Sequence, residues 1–247
     1  HFELAMAALK AGKHVLLEKP MTRTVAEAVQ LVDTADRLGL TLLTDHTFIY
    51  TEAVRAMRDL IVRGEVGDIY YYDSIRVNLG LFQHDVNVIW DLAVHDFSIL
   101  DYILDDKPCA VSVTGLSHIP GSPENVAYAS LFFDNNTIAH VNVNWLAPVK
   151  IRQTLVGGSK KMILYNDLEQ SEKLKVYDKG VTQVEASDDI YQLMVNYRSG
   201  DMWSPALPAN EALSTEIAHF VDCIETGSTP ITDGQIGLRV VEMLEGA

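Results

Sequence analysis

Two opposite charges and a proline end the first apolar run of the chain. Residues 14–17 predict a short buried strand, and Glu18, Lys19 and Pro20 follow it directly. In a parallel α/β sheet, ligands bind in the crevice outside the carboxyl ends of the strands. A lysine at that place can hold or protonate a substrate oxygen through its three N–H donors. On this tripeptide alone, a salt bridge at a surface strand end is an equally good interpretation.

An aspartate and a histidine four residues apart form a second candidate. Residues 90–104 predict a helix on which Asp91 and His95 share a face, whereas Asp96 lies about 100° further round. A carboxylate one turn from an imidazole can orient it, set its tautomer and raise its pKa, which suits a general acid/base near neutral pH. Alternatively, Asp91 caps or flanks the helix and His95 is a partly buried residue with ordinary hydrogen-bond partners.

Polar side chains along one face of a strand form a third and weaker candidate. Residues 68–80 alternate so that Arg76 and Asn78 share a face, and Asn87 lies in the loop that follows. These groups suit a polyhydroxylated ligand. A sheet face exposed to water also needs polar residues, so the pattern has two explanations.

The predicted secondary structure differs between the first and the later part of the chain. The first part alternates helices with short apolar strands, which predicts a parallel sheet covered on both faces. The predicted elements of this part are a helix at 1–10, a strand at 14–17, a helix at 25–38, a strand at 40–48 and a helix at 51–63.

The later part reads as consecutive strands with tight turns. Asp134-Asn135-Asn136 and Gly157-Gly158 are hairpin signatures, and consecutive hairpins predict an antiparallel sheet. Two helices, 211–226 and 235–245, finish the chain. We therefore expect a parallel α/β piece followed by an antiparallel α+β domain, with a boundary near residue 48.

Composition narrows the classes of function. The chain has 247 residues and a net charge of −15, which argues against nucleic acid as a partner. An anionic ligand would require the 19 Lys and Arg residues to gather locally. No apolar run approaches the ~18–20 residues of a membrane span. Cys109 and Cys223 lie far apart, which favours a reducing cytoplasm, and the histidines form no recognised metal pattern.

The order of these features resembles the Gfo/Idh/MocA oxidoreductase family, the relatives of glucose-fructose oxidoreductase and inositol dehydrogenase. The resemblance rests on a helix followed by "AGKHVLLEKP", on "WDLAVHDFSILDYI" about 70 residues later, and on the closing "STEIAHFVDCIETGSTPITDGQIGL". It runs over essentially the whole chain.

The resemblance implies a residual part of an NAD(P)-binding Rossmann domain at 1–48 and a C-terminal α+β domain at 49–247 that shapes the substrate site and mediates oligomers. By the same resemblance, Lys19, Asp91 and His95 are catalytic. It further implies that Glu18, Lys19, Pro20 and His46 bind the cofactor, NAD or NADP, and the polar side chains Arg76, Asn78 and Asn87 remain the candidates for substrate binding.

The glycine fingerprint of such a cofactor site, G-x-G-x-x-G on the first βα turn, does not occur in the sequence. We therefore expect a fragment of a dehydrogenase, inactive as it stands and binding the dinucleotide poorly.

The implied activity is hydride transfer on a pyranose, sugar nucleotide or cyclitol by a cytoplasmic homodimer or homotetramer. Two alternatives stay open: an NAD-dependent glycoside hydrolase of the same fold and a non-catalytic ligand sensor. The polar stripe of His140, Asn142 and Asn144 predicts a solvent or subunit-interface face.

Overall fold

The computed structural model of the chain describes residues 1–80, 83–183 and 195–247. Its α-helices are α1 Phe2–Lys10, α2 Val25–Leu38, α3 Glu52–Val62, α4 Val94–Ile103, α5 Ala212–Thr226 and α6 Gly234–Gly246. Its strands are β1 Val15–Leu17, β2 Leu42–Thr44, β3 Ile69–Val77, β4 Ala110–Leu116, β5 Val126–Phe132, β6 Ile138–Asn144, β7 Ile151–Gly158, β8 Met162–Asn166, β9 Leu174–Tyr177, β10 Gly180–Gln183, β11 Val195–Arg198 and β12 Met202–Trp203. A 3₁₀ turn, Thr47–Tyr50, and a π-helical turn, Ile89–Ala93, complete the description.

The first elements form a small parallel α/β unit, as the alternation of helix and strand predicts. Strands β1 and β2 pair in parallel, with Leu17 opposite Thr44. Helix α2 begins where the Thr24 side chain accepts from the Glu27 N–H and ends at Gly39, whose φ of 64° is left-handed. The predicted strand 40–48 is shorter than expected because Asp45 accepts the Thr47 N–H and turns the chain into the 3₁₀ turn.

Eight strands form the large sheet, in the order β12-β9-β8-β7-β3-β6-β5-β4. Every neighbouring pair is antiparallel except β3 and β6, which are parallel. The prediction of a mostly antiparallel open-sheet domain with flanking helices is confirmed.

One of the two predicted hairpin turns is displaced. Asn136 has a φ of 63° in the turn between β5 and β6, as its position predicts. The hairpin predicted at Gly157-Gly158 forms between β7 and β8, but its turn comes later than predicted, because β7 continues through Gly158. A Cβ on Gly157 would lie 2.2 Å from the ring of Tyr71 on the neighbouring strand. That glycine serves cross-strand packing, and the chain reverses after it.

Helix α4 covers one face of the large sheet and buries the polar side chains on that face of β3. Tyr72, Ser74 and Arg76 point towards α4 and are buried. Of the two explanations for this pattern, a sheet face exposed to water does not hold for Ser74 and Arg76. These polar groups are buried because Asp96 of α4 accepts hydrogen bonds from Ser74 and Arg76.

The last helix joins the two parts of the chain. Val240 and Leu244 of α6 lie in the core of the large sheet domain, whereas Val241 packs with the core of the parallel unit. Arg239 of α6 donates to both carboxylate oxygens of Asp101 on α4, each at 2.9 Å. The boundary near residue 48 stays a prediction, and α6 belongs to both cores.

We expect Asp101→Ala to lower the free energy of unfolding by about 2 kcal/mol, because it leaves Arg239 and the ammonium of Lys107 without their shared, buried carboxylate. Urea denaturation measures this. Asp105→Ala is the matched control, since that aspartate pairs with Arg58 at 3.5 Å while its side chain is 84% exposed. The control should change stability by less than about 1 kcal/mol. Equal losses in the two variants would contradict the structural role given to Asp101.

Candidate active site

The carboxyl edge of the parallel strands brings the first candidate residues together. Glu18, Lys19 and Pro20 follow β1, and His46 follows β2 two residues after its end. Because the two strands are adjacent and parallel, these residues emerge at the same edge. Lys19 is partly buried, and its Nζ donates to the backbone carbonyl of Asp91 at 3.3 Å. The lysine therefore reaches the segment that precedes His95.

The contacts of Asp91 differ from the one that its spacing predicts. It lies in the π-helical turn Ile89–Ala93, which alters the angular relation to His95 that a continuous α-helix would give. Its carboxylate accepts from the indole N–H of Trp145 at 2.9 Å. No hydrogen bond joins Asp91 to His95 in the described part of the chain. Asp91 connects Lys19 to Trp145, and its catalytic role beside His95 stays a prediction.

His95 lies on the first turn of α4, partly buried, with its ring edge-on to Phe48 at a centroid distance of 5.0 Å. Burial lowers the pKa of His95 well below its ordinary value of 6.5, and the positive charges of Arg76 and Lys19 lower it further. The prediction of a raised pKa is therefore wrong. At neutral pH the ring is uncharged, so one nitrogen is free to accept a proton.

His46 is buried at the same edge. Its ring is 1% exposed, and neither ring nitrogen has a hydrogen-bond partner among the described residues. Burial lowers its pKa to about 4, opposed by the nearby charge of Asp45. A buried imidazole with two unsatisfied nitrogens is costly, and such groups in folded proteins usually have a water or ligand partner.

The three residues predicted to bind substrate have different surroundings. Arg76 is 3% exposed and donates to Asp96 from Nε at 2.7 Å and from Nη2 at 3.3 Å. The Asn87 oxygen accepts the N–H groups of Ile89 and Trp90 and so caps the π-helical turn. Asn78 lines a cleft described below. The Asn87 oxygen is thus engaged by the backbone, and the substrate role of Asn87 stays a prediction.

Sequence reasoning missed three residues of this site. Asp96 was placed on another face of the helix, and that face is the one that holds Arg76. Arg152 of β7 stands directly opposite Arg76 in the sheet, a pairing that only the strand register reveals. Phe48 lies on the 3₁₀ turn, two residues after His46, and its ring contacts that of His95. Its position close to His46 in the sequence was the one signal that could have identified it.

A buried glutamate behind this edge was also missed. Glu216 of α5 is fully buried, and burial together with the charge of Asp45 raises its pKa to about 8. It is therefore largely protonated at neutral pH. Nothing in its local sequence marks it apart from its position inside an amphipathic helix.

The residues at this edge fit the nicotinamide end of a dinucleotide. The unsatisfied nitrogens of His46 and the ammonium of Lys19 would supply hydrogen bonds to a carboxamide and a ribose. Glu18 is exposed and Pro20 partly buried beside them. Because the sequence contains no glycine fingerprint, no residue is assigned to the pyrophosphate.

These features define a class: an α/β unit of Rossmann type joined to an open-sheet domain, with a lysine and a neutral histidine at the strand edge. Two protein-family models match the chain. The family model described as "Oxidoreductase family, NAD-binding Rossmann fold" matches residues 1–46, and the one described as "GFO/IDH/MocA C-terminal domain" matches residues 54–164. Together they span more than half of the chain, which belongs to the Gfo/Idh/MocA oxidoreductase family.

Curated relatives and solved structures agree with this family. A 1,5-anhydro-D-fructose reductase from Ensifer adhaerens is 34% identical over 131 residues, which is 49% of this chain and 39% of that enzyme. The UDP-N-acetylglucosamine 3-dehydrogenase from Acidithiobacillus ferrooxidans is 25% identical over 98% of this chain and 72% of its own length. A crystal structure of the latter covers 99% of this chain and 73% of the crystallised one with a TM-score of 0.80 and 23% identity, which supports the fold.

No helix in the described part of the chain is long and apolar enough to cross a membrane. Cys109 is exposed, Cys223 is buried, and neither forms a disulfide within the described residues. The cytoplasmic location stays a prediction.

The pH dependence of stability should report on His46. The folded pKa of about 4 lies below the unfolded value near 6.5, so the unfolded chain binds the proton more readily between these values. Stability is therefore complete above about pH 6.5 and falls by up to about 3 kcal/mol as the pH approaches 4. Urea denaturation across this range should show a shallower loss in His46→Gln, with the share due to His95 remaining. An unchanged slope would contradict the buried, neutral state of His46.

Proposed function

We propose that the protein is an NAD(P)-dependent oxidoreductase that acts on a CH–OH group of a pyranose, sugar nucleotide or cyclitol. The single observation that carries the proposal is the meeting of Lys19 and an uncharged His95 at the carboxyl edge of the parallel strands. The names of the relatives above are those of a sugar reductase and a sugar-nucleotide dehydrogenase, which favours hydride transfer over hydrolysis or ligand sensing.

The residues of the chain have separate roles in the proposed reaction. The dinucleotide, when bound, supplies the hydride acceptor or donor. His95 accepts the proton of the substrate hydroxyl, because its lowered pKa leaves the ring uncharged at neutral pH. Lys19, fixed by the Asp91 carbonyl, donates a hydrogen bond to the same oxygen and stabilises the negative charge that develops there. In the reverse direction, the protonated imidazole returns the proton.

Three neighbouring groups keep this arrangement in place. Asp91 and Trp145 hold the π-helical turn against the sheet, and Phe48 packs against the His95 ring. Buried His46 offers its ring nitrogens to the nicotinamide end, as Glu18 and Pro20 approach from β1. The choice between NAD and NADP depends on a ribose-binding residue that this chain does not identify.

We expect Lys19→Met and His95→Asn each to lower kcat by about 10²- to 10⁴-fold, since each removes a group that acts on the reacting oxygen. Formation of NAD(P)H by the complete protein on a panel of pyranoses and cyclitols measures this. Lys13→Met is the matched control, because that lysine is exposed just before β1. Full turnover in the His95 variant, with its fold intact by circular dichroism, would exclude the proton-transfer role.

We also propose that the open face of the large sheet binds a second copy of the chain. The face away from α4 carries half-exposed aromatic and aliphatic side chains, such as Tyr71, Tyr128, Phe132 and Ile138. Single exposed apolar residues are ordinary, but a continuous stripe across three neighbouring strands is typical of an interface. The polar stripe with His140 lies on the same face, where its ring stacks on Tyr128.

Charge at the centre of this face should dissociate the oligomer. We expect Tyr128→Glu to shift the molar mass, measured by light scattering on a sizing column, from dimer or tetramer towards monomer, because it places like charges across a two-fold interface. Tyr70→Glu is the control, an exposed tyrosine near the start of β3. A monomeric wild-type protein, or an oligomer that survives Tyr128→Glu, would rule out this interface.

A further inference from the structure

We propose that the cleft between the end of β3 and the start of β7 binds an anionic substituent, a carboxylate or a phosphate, of the sugar-like substrate. The proposal rests on the proposed function, because it names the substrate class of the same site. Three features carry it: two arginines that converge beside His95, their unused donors, and a cleft whose lining contains no acidic residue.

The two arginines approach one aromatic ring. The guanidinium carbon of Arg76 lies 4.6 Å from the centroid of Phe48, and that of Arg152 lies 5.9 Å from it. The ring of His95 contacts the same phenylalanine at 5.0 Å. Two guanidinium groups and the ring of the proposed proton acceptor thus surround one phenylalanine, and both positive charges act on His95. The protein that gathers them has a net charge of −15.

Each arginine is paired with one carboxylate but keeps a buried N–H donor without a hydrogen-bond partner among the described residues. Arg76 is held by Asp96, but its Nη1 is buried without a hydrogen-bond partner among the described residues. Arg152 donates from Nη1 to Asp167 at 3.2 Å, and its buried Nε likewise has no partner in the described part of the chain. Unsatisfied buried donors on a charged group are costly, so an acceptor oxygen from a ligand would stabilise them.

The carboxylate beside Arg152 does not cancel the local positive charge. Asp167 is shared with the ammonium of Lys173, 3.8 Å away, and with the hydroxyl of Tyr165. One carboxylate therefore balances two cations. Arg152 also faces Arg76 directly across the sheet, and like charges in that position repel unless an anion lies near them.

A cleft of about 260 Å³ opens at this end of the two strands, lined by Asn78, Leu79, Pro148, Lys150 and Arg152. Its lining holds two cations and one amide but no carboxylate. Four other clefts on the described surface each include at least one aspartate or glutamate. In a chain with 34 acidic residues, their absence from this lining favours an anionic occupant over a neutral one.

The cleft adjoins the proposed catalytic groups. Asn78, in its lining, lies beside Gly80, where an added Cβ would be 3.1 Å from the Asn78 amide and 3.0 Å from Trp145. Trp145 donates to Asp91, whose carbonyl holds Lys19. An anion in the cleft would therefore sit at one end of a substrate whose reacting hydroxyl lies at Lys19 and His95. Arginine suits this task because its planar group can pair with two oxygens of one carboxylate or phosphate.

Calorimetric titration of the complete protein with D-glucuronate, glucose 6-phosphate and D-glucose at fixed ionic strength tests the proposal. We expect at least one of the two anions to bind about tenfold or more tightly than glucose, a difference of about 1.4 kcal/mol. Preference for glucuronate identifies a carboxylate, and preference for the phosphate ester identifies a phosphate. Arg152→Gln should lower that preference about tenfold, and Lys150→Gln should lower it less.

Lys173→Gln is the matched control, because it disturbs Asp167 and leaves both arginines in place. It should keep the preference. Equal binding of all three ligands, no measurable binding of either anion, or a preference that survives Arg152→Gln would overturn the proposal. Parallel assays of NAD(P)H formation separate it from the proposed function. Turnover without anion preference rejects the cleft assignment alone, whereas anion preference that depends on Arg152, without turnover of any sugar, rejects the oxidoreductase assignment.

Discussion

A buried ion pair between Arg76 and Asp96 fixes helix α4 on the large sheet and with it the candidate site. Both side chains are almost completely buried, at 4% and 2% exposure, and they join the central strand β3 to α4. Burying two charges costs several kcal/mol each, and the cost is recovered only with close geometry and additional hydrogen bonds. Here Nε and Nη2 of the arginine, together with the Ser74 hydroxyl, satisfy the carboxylate. This attachment fixes both the rotation of α4 about its own axis and its distance from the sheet.

The position of His95 follows from that attachment. It precedes Asp96 in the chain, so fixing Asp96 towards the sheet turns the His95 ring towards Phe48 and the strand edge. The same arginine that holds the helix also lowers the pKa of His95, because its positive charge lies close to the ring in a region with little water. One buried pair therefore sets both the direction and the protonation state of the proposed proton acceptor.

The local elements of the fold were largely predictable. Thr24 and Gly39 are chemical signals for the start and end of α2, and the structure places them at those points. Errors arose where a residue's role depends on a neighbour distant in sequence. Gly157 is required by the ring of Tyr71, and Arg76 is buried because α4 lies over it. Asp91 lies in a π-helical turn and accepts a hydrogen bond from Trp145, which spacing alone does not indicate.

The order of the main helices and strands, the family and the candidate residues Lys19 and His95 follow from the residues alone, because periodicity, caps and short motifs indicate them. Three properties of the site follow only from the packed fold: His95 is uncharged, Arg76 is ion-paired and Arg152 lies opposite Arg76. Those properties depend on burial and on distances between charges brought together across strands and helices. Local sequence does not predict these distances, because they arise from strand register and from the packing of one element on another.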